Sequence, residues 1–230
     1  MNITKHFLPN LIGRDFVVGD LHGMYDLFVQ KLKEIEFDES KDRMFCVGDL
    51  IDRGPDSLKC LELLLNPWFF SNRGNHEDQM LDRTIGSSLD FYHPTDWIKN
   101  GGKWYLDTTV SDKIMNKITE MPLISVVHKA DGTRTNIVHA EFPAYTTDDK
   151  IDDEDFTRYQ IIQLIWQRFR VNVFDNKPTK KQIKFYNKMD ENLSPTYAGH
   201  TIFKNVKKLG KYTFIDTGAY LHNKLTIVQI

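Results

Sequence analysis

Apolar residues along the chain switch between two periods. Residues 15–20, "DFVVGD", form a short β-rich run closed by Gly19. Beyond it Met24, Leu27, Phe28, Leu32 and Ile35 recur at the spacing of an amphipathic helix. A second buried run, "RMFCVGD" (43–49), reads as a strand. Leu58, Leu61, Leu64 and Leu65 then repeat the helical spacing behind the start signals Pro55 and Asp56. "WFFSN" (68–72) is a third strand. The order βαβαβ predicts parallel strands with crossover helices, and such sheets bind ligands at their carboxyl ends.

Residues 84–120 break this alternation. They are polar and aromatic, with "NGGKW" as a turn, and read as a helical cap-like insertion within one catalytic domain spanning 1–230. Strand-like runs follow: "LISVVH" (123–128), "TNIVHA" (135–140), "TYAGH" (196–200), "YTFIDT" (212–217) and "LTIVQI" (225–230), with "ADG" and "LGK" as hairpin turns. "RYQIIQLIWQRFR" (158–170) predicts a helix, and the acidic "TTDDKIDDED" (146–155) an exposed loop.

Composition narrows the class of protein. The 230 residues are enough for a substantial core, and 40% hydrophobic with 27% charged residues is ordinary for a soluble globular domain. A net charge of −2 creates no basic field, so nucleic acid is not an expected partner. No apolar run reaches the roughly 18–20 residues that span a bilayer, and the start "MNITKHFLPN" lacks a signal-peptide plan. Cys46 and Cys60 sit inside apolar periodic segments and read as buried reduced thiols, in keeping with a cytoplasmic setting.

The polar punctuation carries the chemistry. Five apolar runs end in possible metal ligands: Asp20 with His22, Asp49 with Asp52, Asn75 with His76, His139, and His200. Each alone has a bland explanation: "GDLHG" could be a glycine turn in which Asp20 caps a helix, and His139 a hydrogen-bonded core histidine. Together they would crowd carboxylates and imidazoles onto one sheet edge, which calls for a cation. Oxygen and imidazole donors without thiolate suit Mn, Fe or Zn. The donors are too many for one closed tetrahedral site but fit two ions sharing a bridging carboxylate. Two ions roughly 3.5–4 Å apart can bind a shared hydroxide and clamp the oxygens of an in-line displacement. Arg53 and Arg73 add fixed positive charge suited to phosphate. The chemistry indicated is metal-assisted phosphoester hydrolysis.

"GDLHG" (19–23), "GDLIDRG" (48–54), "RGNHE" (73–77), His139 and "GHT" (199–201) resemble the phosphoprotein phosphatase family of dinuclear metallophosphatases. The ordered trio of motifs is highly specific, and the likeness runs from about residue 15 to "DTGA" at 216–219. Short length and the run "CLELLLNPWFFSNRGNHE" look most like the small phage and bacterial members, as does "AEFP" after His139 in place of the eukaryotic "GG".

The resemblance implies an α/β fold, a calcineurin-like metallophosphatase β-sandwich of two mixed sheets flanked by helices. It implies two divalent ions, Mn2+ first, with Fe or Zn as alternatives. Asp20 and His22 would bind the first, Asp49 would bridge, and Asn75, His139 and His200 would complete the second. His76 would be the general acid, oriented by Asp52, and Arg53, Arg73 and Arg168 would bind phosphate. Arg170 lies two residues beyond Arg168, and Asp216 is expected to be structural. Phosphoproteins or small phosphoesters would be the substrates. A symmetrical dinucleoside tetraphosphate hydrolase shares the ligands, but usually has GNHD and lacks the aspartate before the arginine of DRG. Glu77 and Asp52 therefore favour the phosphomonoesterase.

Overall fold

The computed structural model of the chain describes residues 3–86, 96–170 and 178–230. Strands β2 (Asp15–Val18), β3 (Arg43–Cys46) and β4 (Phe69–Ser71) run parallel, with β10 (Ile227–Gln229) antiparallel beside β2. Helices α1 (Tyr25–Glu34) and α2 (Ser57–Glu62) make the crossovers, as the periodicity predicts. A second, mixed sheet has the order β1-β5-β6-β7-β9-β8, formed by Thr4–Phe7, Ile124–His128, Arg134–Val138, Thr196–Ala198, Tyr212–Phe214 and Lys207–Leu209 respectively. Of the expected hairpins, the one around "ADG" is the antiparallel pair β5–β6; the "LGK" turn instead joins β9 to β8, a strand with no sequence reading, while β7 and β9 run parallel.

Period-two alternation sorts each strand between two cores. Val17, Phe45, Val127, Ile137 and Ile215 meet between the sheets, joined by Phe7 and Val47. Phe16, Val18, Met44 and Cys46 point the other way, under α1, α2 and α3 (Asn75–Ile85). Ile124, Val126 and Val138 pack outward against Ile151, Leu164 and Ile165 of α6 (Asp148–Asp152) and α7 (Arg158–Trp166). Sheets covered on both faces explain why these strands read as continuous apolar runs.

Several expectations need correction. Strand β1 carries no sequence signal, because it lies at a sheet edge and buries only Phe7. The acidic run is not simply a loop: Thr147 caps the short helix α6, and Asp148 accepts from Ser194 (N 3.0 Å, Oγ 2.6 Å) and Asn136 Nδ2 (3.0 Å). The helix expected over 158–170 ends at Trp166, and the chain then turns extended at Gln167. Of the 84–120 region, residues 87–95 lie outside the described part. The remainder forms α4 (Asp96–Lys99), a 3-10 turn at Gly102–Asp107 and α5 (Asp112–Thr119), whose Ile114 and Ile118 join the core beneath α3. Among the described residues no helix is long and apolar enough to cross a membrane.

Candidate metal centre

The loops after β2, β3 and β4 bring Asp20, His22, Asp49, Asp52, Asn75 and His76 together from the first sheet. His139 and His200 arrive from the ends of β6 and β7 in the second. All eight are buried. Sharp turns aim them: His22, Asp49, Asp52, Arg53 and His200 have φ of 42°, 53°, 74°, 72° and 64°, a left-handed conformation that is costly for such residues. Backbone strain concentrated at one place is what a preorganised site requires. Two glycines allow close approach, since a Cβ on Gly74 would lie 2.1 Å from Asp49 Oδ1, and one on Gly199 2.0 Å from Asp20 Oδ1.

The Asp49 carboxylate is the hub. His139 Nε2, His22 Nε2 and His76 Nε2 lie 3.4, 3.6 and 3.9 Å from its Oδ2, and its Oδ1 accepts the His76 backbone N–H at 3.0 Å. The last contact places the carboxylate at the N-terminus of α3, where the helix dipole favours negative charge. His139 Nε2 is also 3.0 Å from Asn75 Oδ1. His22 Nδ1 and His139 Nδ1 face the carbonyls of Ile51 (2.9 Å) and Val47 (3.3 Å), which assigns their protons to Nδ1 and leaves lone pairs on Nε2. The backbone N–H of His200 donates to Asp20 Oδ1 and Oδ2 at 3.2 and 3.0 Å.

These donors fit divalent cations. His200 Nε2 is buried with no hydrogen-bond partner, and the imidazole nitrogens around Asp49 Oδ2 stand beyond hydrogen-bond length yet converge on one oxygen. Two sets, His22–Asp49–His76 and Asp49–His139–His200, have ligand atoms close enough to hold an ion, and they share Asp49. Burial drives the His22 imidazole down to about 3 and His200 well below its usual value, so both are neutral lone-pair donors. Burial, with the Asp216 and Asp49 charges, lifts the Asp20 carboxyl well up, and burial raises Asp216 to about 6. Burial also acts to raise Asp49, but the imidazoles of His139, His76 and His22 outweigh it and hold the carboxyl low. Such crowding of carboxyls is relieved by positive ions.

His76 has a different environment from the other imidazoles. Its Nδ1 is 2.5 Å from Asp52 Oδ2. Burial would lower its pKa, but the Asp49 charge and the Asp52 hydrogen bond prevail and raise it. Asp52 is in turn held by Trp97 Nε1 and Trp104 Nε1, each at 2.7 Å.

Arg53 is exposed at the rim, donating to His22 Nε2 (2.8 Å) and Asn100 Oδ1 (3.3 Å), with Tyr220 4.9 Å across its face. Arg168 donates to the His200 carbonyl (3.3 Å) and feels the charges of Asp49, Asp20 and Asp216. Arg170 is instead buried, bonded to Glu141 (2.8 Å) and Asp190 (2.6 Å). Arg73 is only 5% exposed, donates to the Thr119 carbonyl (2.8 Å) and pairs with Asp78 (3.5 Å). These contacts anchor α3 to α5 and hold the guanidinium in the interior.

In the sequence reading Glu77 only separates phosphatase from tetraphosphate hydrolase and has no structural role. Its carboxylate accepts N–H groups from Asp49 (2.9 Å), Leu50 (2.7 Å) and Gly74 (2.9 Å), fastening two ligand loops together. Its position three residues after the helix-capping Gly74 was the available signal. Trp97, Asn100, Trp104 and Tyr220 had none beyond the "NGG" turn.

The chain belongs to the calcineurin-like phosphoesterase family, whose model matches residues 16–218. It is 32% identical over 224 residues to serine/threonine-protein phosphatase 1 of Salmonella typhimurium, covering 94% of this chain and 91% of that one. It is also 44% identical over 127 residues to the symmetrical bis(5'-nucleosyl)-tetraphosphatase of Nitrosospira multiformis, over 54% of this chain and 42% of that protein. A crystal structure of a candidate diadenosine tetraphosphatase superposes with a TM-score of 0.67 at 17% identity, covering 100% of this chain and 98% of that one, a likeness of fold. The protein is a metallophosphoesterase, and the family implies divalent metal ions.

Proposed function

We propose that the chain is a metal-dependent protein phosphatase that hydrolyses phosphoserine and phosphothreonine monoesters, with phosphotyrosine, phosphohistidine and small phosphoesters as further substrates. The whole chain acts as one catalytic domain, with part of the 84–120 region as one wall of the site. Asp20, His22, Asp49, Asn75, His139 and His200 would hold two ions, Mn2+ first and Fe or Zn as alternatives. When bound, such ions supply Lewis-acid stabilisation of phosphoryl oxygens and acidification of water. Arg53, Arg73 and Arg168 would bind the remaining phosphate oxygens. His76 keeps its Nδ1 proton on Asp52 and gives a proton from Nε2 to the leaving alkoxide oxygen. The buried free thiols Cys46 and Cys60 suit a reducing, cytoplasmic setting.

The observation that carries this reading is the buried Asp52–His76 pair beside Asp49. An alkoxide is a poor leaving group, and a positioned acid is worth roughly 10²–10⁴ in rate. The second reading, a symmetrical dinucleoside tetraphosphate hydrolase, draws on the 44% identity over 127 residues. Turnover of a phosphoserine peptide and of a dinucleoside tetraphosphate should be compared with Mn2+, Mg2+, Zn2+ and Fe2+. Dominant cleavage of the peptide supports the phosphatase; dominant cleavage of the nucleotide replaces it.

A further inference from the structure

Asp52 is fully buried and carries more donors than orientation of one imidazole needs. Trp97 Nε1 donates to its Oδ2 and Trp104 Nε1 to its Oδ1, each at 2.7 Å, while His76 Nδ1 shares Oδ2. The two indoles come from separate short elements, α4 and the 3-10 turn at 102–107, and cross at 89° with centroids 6.4 Å apart. A buried tryptophan needs a partner for its N–H, so one such contact could be mere satisfaction of a core residue. Two converging on both oxygens of a single carboxylate go beyond that.

The turn between them is fitted to the site. Gly101 sits at φ 123°, and a Cβ there would lie 2.9 Å from Arg53 N and 3.0 Å from Asp52 Cβ. A Cβ on Gly102 would lie 2.6 Å from the Trp97 ring. Asn100, at the head of the turn, has Nδ2 3.4 Å from His76 Nε2 and Oδ1 3.3 Å from Arg53 Nη2.

We infer that Trp97 and Trp104 are positioning residues for the proton transfer, saturating Asp52 so that His76 is held with Nδ1–H on the carboxylate and Nε2 facing the leaving oxygen. The inference rests on the reading of His76 as general acid. An indole N–H donates but neither accepts nor exchanges its proton as water or a hydroxyl would. Both carboxylate oxygens are thereby occupied by donors that cannot compete for the transferred proton. Water is displaced from the back of the dyad, and the carboxylate is kept from rotating. An imidazole so held cannot flip its ring without losing a charge-assisted bond.

The test exploits leaving-group chemistry. A serine alkoxide needs protonation, whereas p-nitrophenolate leaves readily as an anion. Trp104→Phe keeps an aromatic ring at a half-buried position and removes the N–H. With phosphoserine peptide, kcat is expected to fall roughly 10–10²-fold with KM within twofold, part of the full effect of a general acid. With p-nitrophenyl phosphate the fall should be less than about threefold, and metal stoichiometry should be unchanged, since the general-acid contribution is what is lost. Added to His76→Asn, Trp104→Phe should cost nothing more, because the two act as one unit.

If His76→Asn shows no leaving-group selectivity, the general-acid reading falls. If His76→Asn is selective and Trp104→Phe is not, or loses both substrates equally, the positioning role falls. A measurement independent of activity covers a variant that fails to fold. In the Zn2+-loaded protein, the Trp97 and Trp104 indole N–H resonances should lie downfield and move upfield in Asp52→Asn. Resonances that do not move would overturn the inference.

Discussion

Arg53 and Arg73 each precede a glycine at the end of a strand, yet their guanidinium groups meet different partners. Arg53 is exposed and reaches over the candidate metal centre to His22, while Arg73 is enclosed by Asp78 and the Thr119 carbonyl. Arg53→Ala should lower kcat/KM by roughly 10²-fold, about 2.7 kcal/mol of lost phosphate interaction, with little change in Tm. Arg73→Gln should instead lower stability by about 3 kcal/mol, because it breaks the buried Arg73–Asp78 pair. Steady-state kinetics and urea melts on the same two variants separate phosphate binding from anchoring; a Tm-neutral Arg73→Gln with a raised KM would show phosphate binding without anchoring. Glu77 belongs at this scale too. Glu77→Gln turns amide hydrogens toward some of the three N–H groups the carboxylate accepts and should destabilise by about 2–3 kcal/mol, read in the same melts.

At the scale of elements, each ligand loop is a strand end forced into a tight turn, and the turns are locked by neighbours. The N-terminus of α3 docks on Asp49 only because residue 74 has no side chain. Gly74→Ala should therefore drive α3 off the Asp49 loop, with loss of bound metal measurable by stoichiometry even where the rest of the fold survives. The segment after α7 is held differently. Arg170, 2% exposed, binds Glu141 and Asp190 and so ties the chain that carries Arg168 to the second sheet. Arg170→Met leaves two buried carboxylates unpaired and should cost about 3–5 kcal/mol. Where the variant is assayed below its Tm, KM for phosphopeptide should rise because Arg168 loses its anchor.

Across the whole molecule, the candidate metal centre is a seam. The first sheet supplies Asp20, His22, Asp49 and Asn75, and the second supplies His139 and His200, with Asp216 after β9 close behind. Ions bound there would join the two sheets and relieve the crowding of carboxyls. Chelation should then lower global stability, by about 2.7 kcal/mol for each ion present at a hundredfold excess over its Kd. In calorimetry this is a fall in Tm on the order of 5–10 °C per ion, reversed by adding metal back. A chelated protein with unchanged Tm would mean that the centre is fully formed without its ions and contributes nothing to holding the sheets together.

How much of this was legible in the chain depends on the range of the interaction. The local periodicity of 15–72 dictated a parallel βαβαβ unit, because burial on both sheet faces leaves continuous apolar runs and helices leave a three-and-four stripe. The polar residues closing those runs marked the candidate ligands, since parallel strands must end on one edge. Partners far apart in sequence leave no such periodic trace. Asp52 meets Trp97 and Trp104 some 45 and 52 positions on, and no local pattern announces a side chain that a distant carboxylate will need. Likewise "RGN" and "IWQR" offer alike arginines, and only packing sends Arg73 into the interior beside Asp78 while Arg168 stays with His200. The sequence by itself determined which residues could carry phosphoester chemistry and in what order they arrive. The tertiary structure decided which of them share a site, because charge and hydrogen-bond partners are set by distance in space and not by separation along the chain.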